Sequence, residues 1–399
     1  MFNARVVELS NEEQVRKELK GIGVYSKGAS IMTPKALHAL IRLEGVGVKE
    51  AHILKQEMLS VGGDAAVAKG VVDLTHKETD VFLMGTVKQL KRAARKLSMQ
   101  PFRCPRIAEE IEETLENYSK RSFTLKAGGR RLRMDRPLVM GVINVTPDSF
   151  SDGGKFLDAE AAIAHAKKLV KEGADLLDIG GESSRPGSDA IPAKEELERI
   201  VPVLDGIIDD VKVPISVDTC KPQVARKVLD MGVHIINDIT GLTSAKLVDV
   251  VAKHGAGIVI MHMQGTPKTM QKKPRYDDVV ADILRFLRER VERAEKKGIC
   301  RESIIIDPGI GFGKTAEHNL EIISRLKEFK SLGLPILVGA SRKSFIGKVL
   351  DKDVDDRLSG GLAMLSMSIL NGASIVRAHD VRESVVAAKM TWAVLESTA

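Results

Sequence analysis

The sequence predicts an α/β protein in which a (β/α)8 barrel is preceded by a smaller α+β domain. From Leu138 onward one unit recurs: a short β-branched run, a polar or glycine-rich tip, then an amphipathic helical stretch. It recurs eight times over about 250 residues, the count and size of a barrel; an open doubly wound sheet stops at five or six strands and carries a nucleotide fingerprint. At 399 residues, with 43% hydrophobic and 29% charged content, the chain has the composition of a soluble globular protein and the length of two unequal domains, placed at 1–119 and 120–399.

Taken in order, ARVVEL reads as a strand, and Ser10 with Glu13 forms a capping box for a helix ending at Gly21. Helices are expected at PKALHALIRL, KEAHILKQEMLS, VKQLKRAARKLS and IAEEIEETLENY, with short strands at GVVDL and DVFLMGT. Gln56, Glu57 and Asp64 surround a Gly-Gly turn; a helix C-cap followed by a turn accounts for them better than a ligand site. SFTLKAGGRRLRM alternates on either side of Gly128 and Gly129, which predicts a β-hairpin covering the bottom of the barrel. The barrel strands follow at LVMGVINV, ADLLDIGG, PISVDT, IINDITG, GIVIMH, IIIDPG, ILVGAS and IVRAHD. Helical stretches between them close on Gly173, Gly232 and Gly298 after basic last turns.

Composition narrows the function classes. Cys104, Cys220 and Cys300 lie far apart with no CxxC spacing, so neither a disulfide framework nor a zinc site is expected and a reducing cytoplasm fits. The first twenty residues lack an apolar h-region, and nothing in the sequence is apolar for long enough to span a bilayer; we expect a protein neither exported nor embedded. The net charge of +7 comes mainly from basic clusters around 87–98 and 119–136 that carry no stacking aromatics, so a solvated basic face is favoured over nucleic-acid binding.

The residues at the strand tips point to chemistry. In a parallel barrel the active site lies at the C-terminal strand ends, and there the sequence places Asn144, Ser184 and Arg185, Asp218, Asn237, Asp307, Lys343, and Arg377 with His379. Asp218, Asn237 and Asp307 offer two carboxylates and an amide, which suits a flat heterocycle presenting N–H donors beside a carbonyl. Arg377 and His379, two apart on one strand, point the same way and can grip a phosphate. Any one such residue is more often a turn or helix cap; agreement at seven of eight strand ends favours a site. His165, His234, His254 and His318 fall in helical or connecting stretches and read as structural. GIGFGKT is not a P-loop, because that pattern needs glycine where Pro308 stands.

At these positions the chain resembles dihydropteroate synthases, over about Phe123 to Ala399. The resemblance rests on NVTPDSFSDGG, GGESSRPG, SVDTCKP, IINDITG, MHMQGTPKTM, IDPGIGFGK, GASRKSFIG and VRAHD. It implies condensation of (7,8-dihydropterin-6-yl)methyl diphosphate with 4-aminobenzoate. Asp218, Asn237 and Asp307 would bind the pterin, with Met261 packing on it and Lys343 hydrogen-bonding to it. Asn144 would help hold a Mg2+ on the diphosphate, which Arg377 and His379 would also bind. Asp218, Lys343, Arg377 and His379 are the catalytic candidates. Loops one and two would bring Asp152, Ser184, Arg185 and Pro186 over the site. Phe312 and Ser344 would border the 4-aminobenzoate, whose carboxylate can use amide donors at the helix start. A homodimer is implied as well.

The chain departs from the family at Ser184, where threonine is common, at Cys220, where serine is frequent, and in its extra residues 1–119. Two alternatives stay in view: a methyltetrahydrofolate:corrinoid methyltransferase, which shares the pterin-reading side chains but has no use for a diphosphate grip, and a non-catalytic pterin-binding protein.

Overall fold

The structure is a computed structural model that describes residues 2–71, 75–146 and 154–397. It divides into two compact units, one running to Ser119 and the other spanning Lys120–Leu395.

In the first unit, α1 (Glu12–Gly21), α2 (Ser26–Ala36), α3 (Val48–Ser60), α4 (Val87–Leu97) and α5 (Cys104–Ser119) accompany an antiparallel sheet. Its strands β1 (His38–Gly47), β2 (Asp64–Val67) and β3 (Glu78–Thr86) lie in the order β1-β3-β2. Several local expectations are corrected. ARVVEL forms no strand: Val6 is 90% exposed and pairs with no ladder, so β propensity alone is not enough. The α1 cap is Asn11, whose side chain accepts from the Gln14 amide, one residue later than expected. HALIRL is strand β1, paired along β3 from His38 opposite Thr86, because alternation against a partner overrides its helix-compatible spacing. The strand placed at GVVDL lies instead at β2; the chain there makes a short 3-10 turn at Lys69–Val71, and 72–74 lie outside the described residues. Glu57 is tied into the fold, bonded to Lys96 at 2.6 Å and accepting from Gln100.

In the second unit the hairpin β4 (Phe123–Ala127) and β5 (Arg130–Met134) precedes eight parallel strands: β6 (Leu138–Asn144), β7 (Leu176–Gly180), β8 (Ile215–Asp218), β9 (Ile235–Asp238), β10 (Gly257–Met261), β11 (Ile304–Asp307), β12 (Leu337–Val338) and β13 (Ile375–Ala378). Neighbours pair in chain order, β13 returns to β6, and an Ile306–Ile336 bridge joins β11 to the β12 segment, closing the barrel. Helices α6 (Gly154–Lys171), α7 (Ala193–Asp205), α8 (Pro222–Asp230), α9 (Ala245–His254), α10 (Val279–Lys296), α11 (Ala316–Ser324), α12 (Ser344–Leu350), α13 (Leu358–Leu370) and α14 (Val381–Ser397) pack outside.

Alternate residues of each strand face inward. At the bottom Met140, Leu176, Ile235, Val259, Ile305 and Ile375 form one buried cluster, into which Leu125, Ala127 and Met134 of the hairpin insert. The barrel is thus stoppered at its N-terminal end by apolar packing, and its inward-facing polar residues lie toward the other end.

Candidate active site

The two-residue period that puts Met140, Leu176 and Ile235 inside the barrel also points Asn144, Asp178, Asp218, Asn237, Met261, Asp307, Arg377 and His379 inward nearer the mouth. Register aligns them: Asn144 pairs with Gly180, Gly180 with Asp218, and Asp218 with Asn237, so one row runs across four strands. Met261 pairs with Asp307 beside it.

Asp178 stands at the centre. It is fully buried, and one carboxylate oxygen accepts from Arg377 Nε at 2.7 Å and from Asn237 Nδ2 at 3.1 Å. Arg377 Nη2 lies 3.7 Å from Asp218. Burial, then the neighbouring Asp178 charge, push Asp218 up to about 8, against the pull of Arg377. Asp307 is also raised by burial, against the opposing influence of Lys343. Among the described residues, Asp178 Oδ1, Asn237 Oδ1 and Ser216 Oγ are buried without a hydrogen-bond partner. Buried acceptors are nearly always satisfied in a working protein, so Asp178 Oδ1 and Asn237 Oδ1 call for a ligand that supplies donors.

The loop after β11 forms one wall. Gly309 and Gly311 both have positive φ; a Cβ at Gly309 would overlap the His262 carbonyl oxygen, and one at Gly311 would come within 2.7 Å of the Lys343 side chain. This contact lets the loop fold down over β10. Fully buried behind it, Lys314 donates to the Phe312 carbonyl at 2.9 Å and lies 3.0 Å from His262 Nδ1. The Lys343 ammonium bonds to the Ile310 carbonyl and sits 4.4 Å from the Phe312 ring centroid. Burial draws Lys343 down to about 7, with Asp307 opposing the shift. Ser344 opens α12 and is exposed.

On the other side, the His379 ring lies 3.1 Å from Ser341 Oγ; burial first, then Arg377 and Arg342, hold His379 down to about 4, so it is neutral at pH 7. Ser184 is half-buried on the loop after β7, whereas Arg185 and Pro186 are exposed there. Asp152 and most of the loop after β6 lie outside the described residues. The histidines set aside from the sequence make local contacts: His254 bonds to Asp230, His318 caps α11 and His234 accepts from the Ile215 amide.

Reasoning from strand tips missed Asp178, Ser216 and Ser341. Asp178 sits mid-strand, two residues before Gly180; an acid at inward parity in an otherwise apolar strand was the available signal.

The family model described as "Pterin binding enzyme" matches residues 140–379. The dihydropteroate synthase of Escherichia coli K12 is 46% identical over 273 residues, 68% of this chain and 97% of its own length. The structure of Xanthomonas albilineans dihydropteroate synthase with 4-aminobenzoic acid superposes with a TM-score of 0.65 at 44% identity, covering 69% of this chain and 98% of that one. A probable bifunctional folylpolyglutamate synthase/dihydropteroate synthase of Halobacterium salinarum is 40% identical over 389 residues, which is 97% of this chain and 46% of its own length. The first two matches are the size of the barrel unit; the third spans nearly the whole chain.

Proposed function

Because the chain belongs to the dihydropteroate synthase family, we propose a residue-level account of the reaction it carries out, in which (7,8-dihydropterin-6-yl)methyl diphosphate and 4-aminobenzoate give 7,8-dihydropteroate and diphosphate. The observation that carries this account is the pair of buried, unpartnered acceptors on Asp178 and Asn237, set beside the guanidinium of Arg377. One end of the pocket takes N–H donors and the other takes an anion.

The pterin ring enters with its donors toward Asp178, Asn237, Asp218 and Asp307. Met261 packs on its face and Lys343 donates to its acceptor edge. Arg377 and His379 hold the diphosphate, His379 as a neutral N–H donor. Among the described residues no three His, Cys, Asp or Glu side chains converge to cage a metal, so a Mg2+ ion would take Asn144 Oδ1 together with diphosphate oxygens and water. When bound, the ion would neutralise charge on the departing diphosphate. Arg377 stabilises the same charge, so the methylene C–O bond breaks as negative charge collects at that end. The carboxylate of Asp218, in its ionised form, and the side chain of Asp178 stabilise the cationic methylene left on the pterin. The amine of 4-aminobenzoate, between Phe312 and Ser344, then forms the C–N bond and loses its proton to solvent. No covalent enzyme intermediate is needed. Ser184, Arg185, Pro186 and Asp152 close over the reactants from loops one and two.

A homodimer is supported by Met367 and Leu370 of α13 and Val386 and Met390 of α14, which are left exposed on the barrel's outer helices. A cytoplasmic location is supported by the three free cysteines.

The test is diphosphate release by purified protein with the dihydropterin diphosphate and Mg2+, with and without 4-aminobenzoate, while dihydropteroate is followed by chromatography. Product that requires both substrates is the expected result. Pterin binding without product would overturn the account and favour a pterin-binding methyltransferase.

A further inference from the structure

Loop two leaves β7 at Gly180 and enters α7 at Ala193, and both of its ends are held by one side chain. Glu182 accepts the Ile191 amide through Oε1 at 3.2 Å and the Lys221 ammonium through Oε2 at 2.5 Å. The same ammonium bonds to Glu196 of α7, whose side chain is fully buried. Lys221 itself follows β8 by three residues: its amide donates to Thr219 Oγ1 at 3.2 Å, and the Thr219 amide donates to the Asn237 carbonyl at 3.1 Å. A continuous run of bonds thus connects the strand ends bearing Asp218 and Asn237 with the two roots of the loop bearing Ser184, Arg185 and Pro186. Arg199 of α7 also donates to the Gly181 carbonyl at the first root, at 2.8 Å, and the attachments farther out along the loop are slighter. The Gly187 amide donates to the Pro267 carbonyl, and the Asp189–Lys268 pair is solvent-exposed, so it contributes little.

We propose that Lys221 is a positioning residue: by clamping Glu182 against Glu196 it fixes the roots of loop two and sets where Ser184 and Arg185 stand over the second substrate, without touching either substrate itself. This rests on the synthase reading of the site. Replacing the ammonium removes the cation bonded to both carboxylates, which loosens the loop roots while leaving the inward row of Asn144, Asp218 and Asn237 in its strands. The misplacement falls on the step that needs the loop, so binding of the first substrate and use of the second should separate.

The experiment compares Lys221→Met, Lys221→Arg and Glu182→Gln in the full-length protein. For Lys221→Met and Glu182→Gln, KM for 4-aminobenzoate should rise, or kcat fall, by about tenfold to a hundredfold, while the Kd for the dihydropterin diphosphate stays within about twofold. Lys221→Arg, which keeps the charge but replaces the compact ammonium with a planar guanidinium, should recover part of the activity that Lys221→Met loses. Hydrogen exchange of the Ile191 amide should speed up in the two disruptive variants. Removing Lys221 strands two carboxylates and risks misfolding; Glu182→Gln keeps the Lys221–Glu196 pair and decides the matter alone if that happens. Glu182→Gln with unchanged kinetics and unchanged Ile191 exchange would overturn the proposal, as would a dihydropterin Kd that rises in step with KM. A wild-type protein that makes no dihydropteroate would instead sink the synthase reading, and the exchange result would still judge the clamp.

Discussion

Replacing Asp178 by asparagine keeps the shape of a fully buried polar side chain in the site and removes its charge. The wild-type carboxylate accepts from Arg377 at 2.7 Å and from Asn237 at 3.1 Å with no exposure to solvent. Turning a charge-assisted bond into a neutral one at such a position costs about 1.5–3 kcal/mol of stability, a fall in Tm of roughly 3–12 °C for a barrel of this size. A second effect has a definite sign. The Asp178 charge is, after burial, what raises Asp218 to about 8, and Arg377 opposes it. With residue 178 neutral, Arg377 gains weight and the Asp218 pKa falls. A raised carboxylate pKa favours the protonated folded state, so this contribution to stability is full below 3.8, the ordinary value, and is lost as pH rises through about 8. In the variant that loss is complete at lower pH. Activity runs the other way on the proposed account, in which the ionised carboxylate stabilises the cationic methylene: kcat/KM for the dihydropterin diphosphate should rise through an acid limb near 8, and Asp178→Asn should move the limb down. The assay is kcat/KM from pH 5 to about 9.5, a range chosen to bracket that limb, alongside thermal unfolding. A limb that stays in place or moves up, or an unchanged Tm, would refute the reasoning.

Lys343→Met tests the opposite sign. Wild-type Lys343 titrates at about 7 instead of 10.5, so the folded state binds fewer protons across that window and stability rises with pH through it; the Tm difference between wild type and variant should be larger at high pH than at neutral pH, and an equal difference would contradict the assignment. His379 should titrate by NMR near 4, so stability contributed by its neutral ring is lost as pH falls from 6.5 toward that value; a midpoint at or above 6.5 would place the ring in solvent. Leu125→Ala, in the stopper at the far end of the barrel, should cost about 2–5 kcal/mol of stability and leave both KM values unchanged, as measured by denaturation and steady-state kinetics.

How much of this was legible in the sequence follows from period and context. The eight barrel strands were readable because each is a continuous apolar run buried on both faces, and the tips at Asn144, Asp218, Asn237 and Asp307 were conspicuous where those runs end. Asp178 was not legible because it lies within a strand and not at its tip, and its setting depends on Arg377, 199 positions away, reaching back across the barrel. The clamp at Lys221 was hidden for the same reason, since Glu182 and Glu196 become its neighbours only when β7 and β8 pair. In the smaller unit, His38–Gly47 fits both a helix and a strand by spacing, and β3 decided between them.

The wall formed by the loop after β11 bears on how such a site can change over generations. At Gly309 and Gly311 the chain presses backbone against the His262 carbonyl and the Lys343 stem, and any side chain there would collide. A substitution at either position therefore carries a steric and conformational cost of its own before any effect on binding. On the proposed placing of 4-aminobenzoate, adaptation to a competing mimic of it would arise where side chains already project, at Phe312, Ser344 or the loop carrying Ser184. Resistance and loss of the natural substrate are then forced through the same few positions.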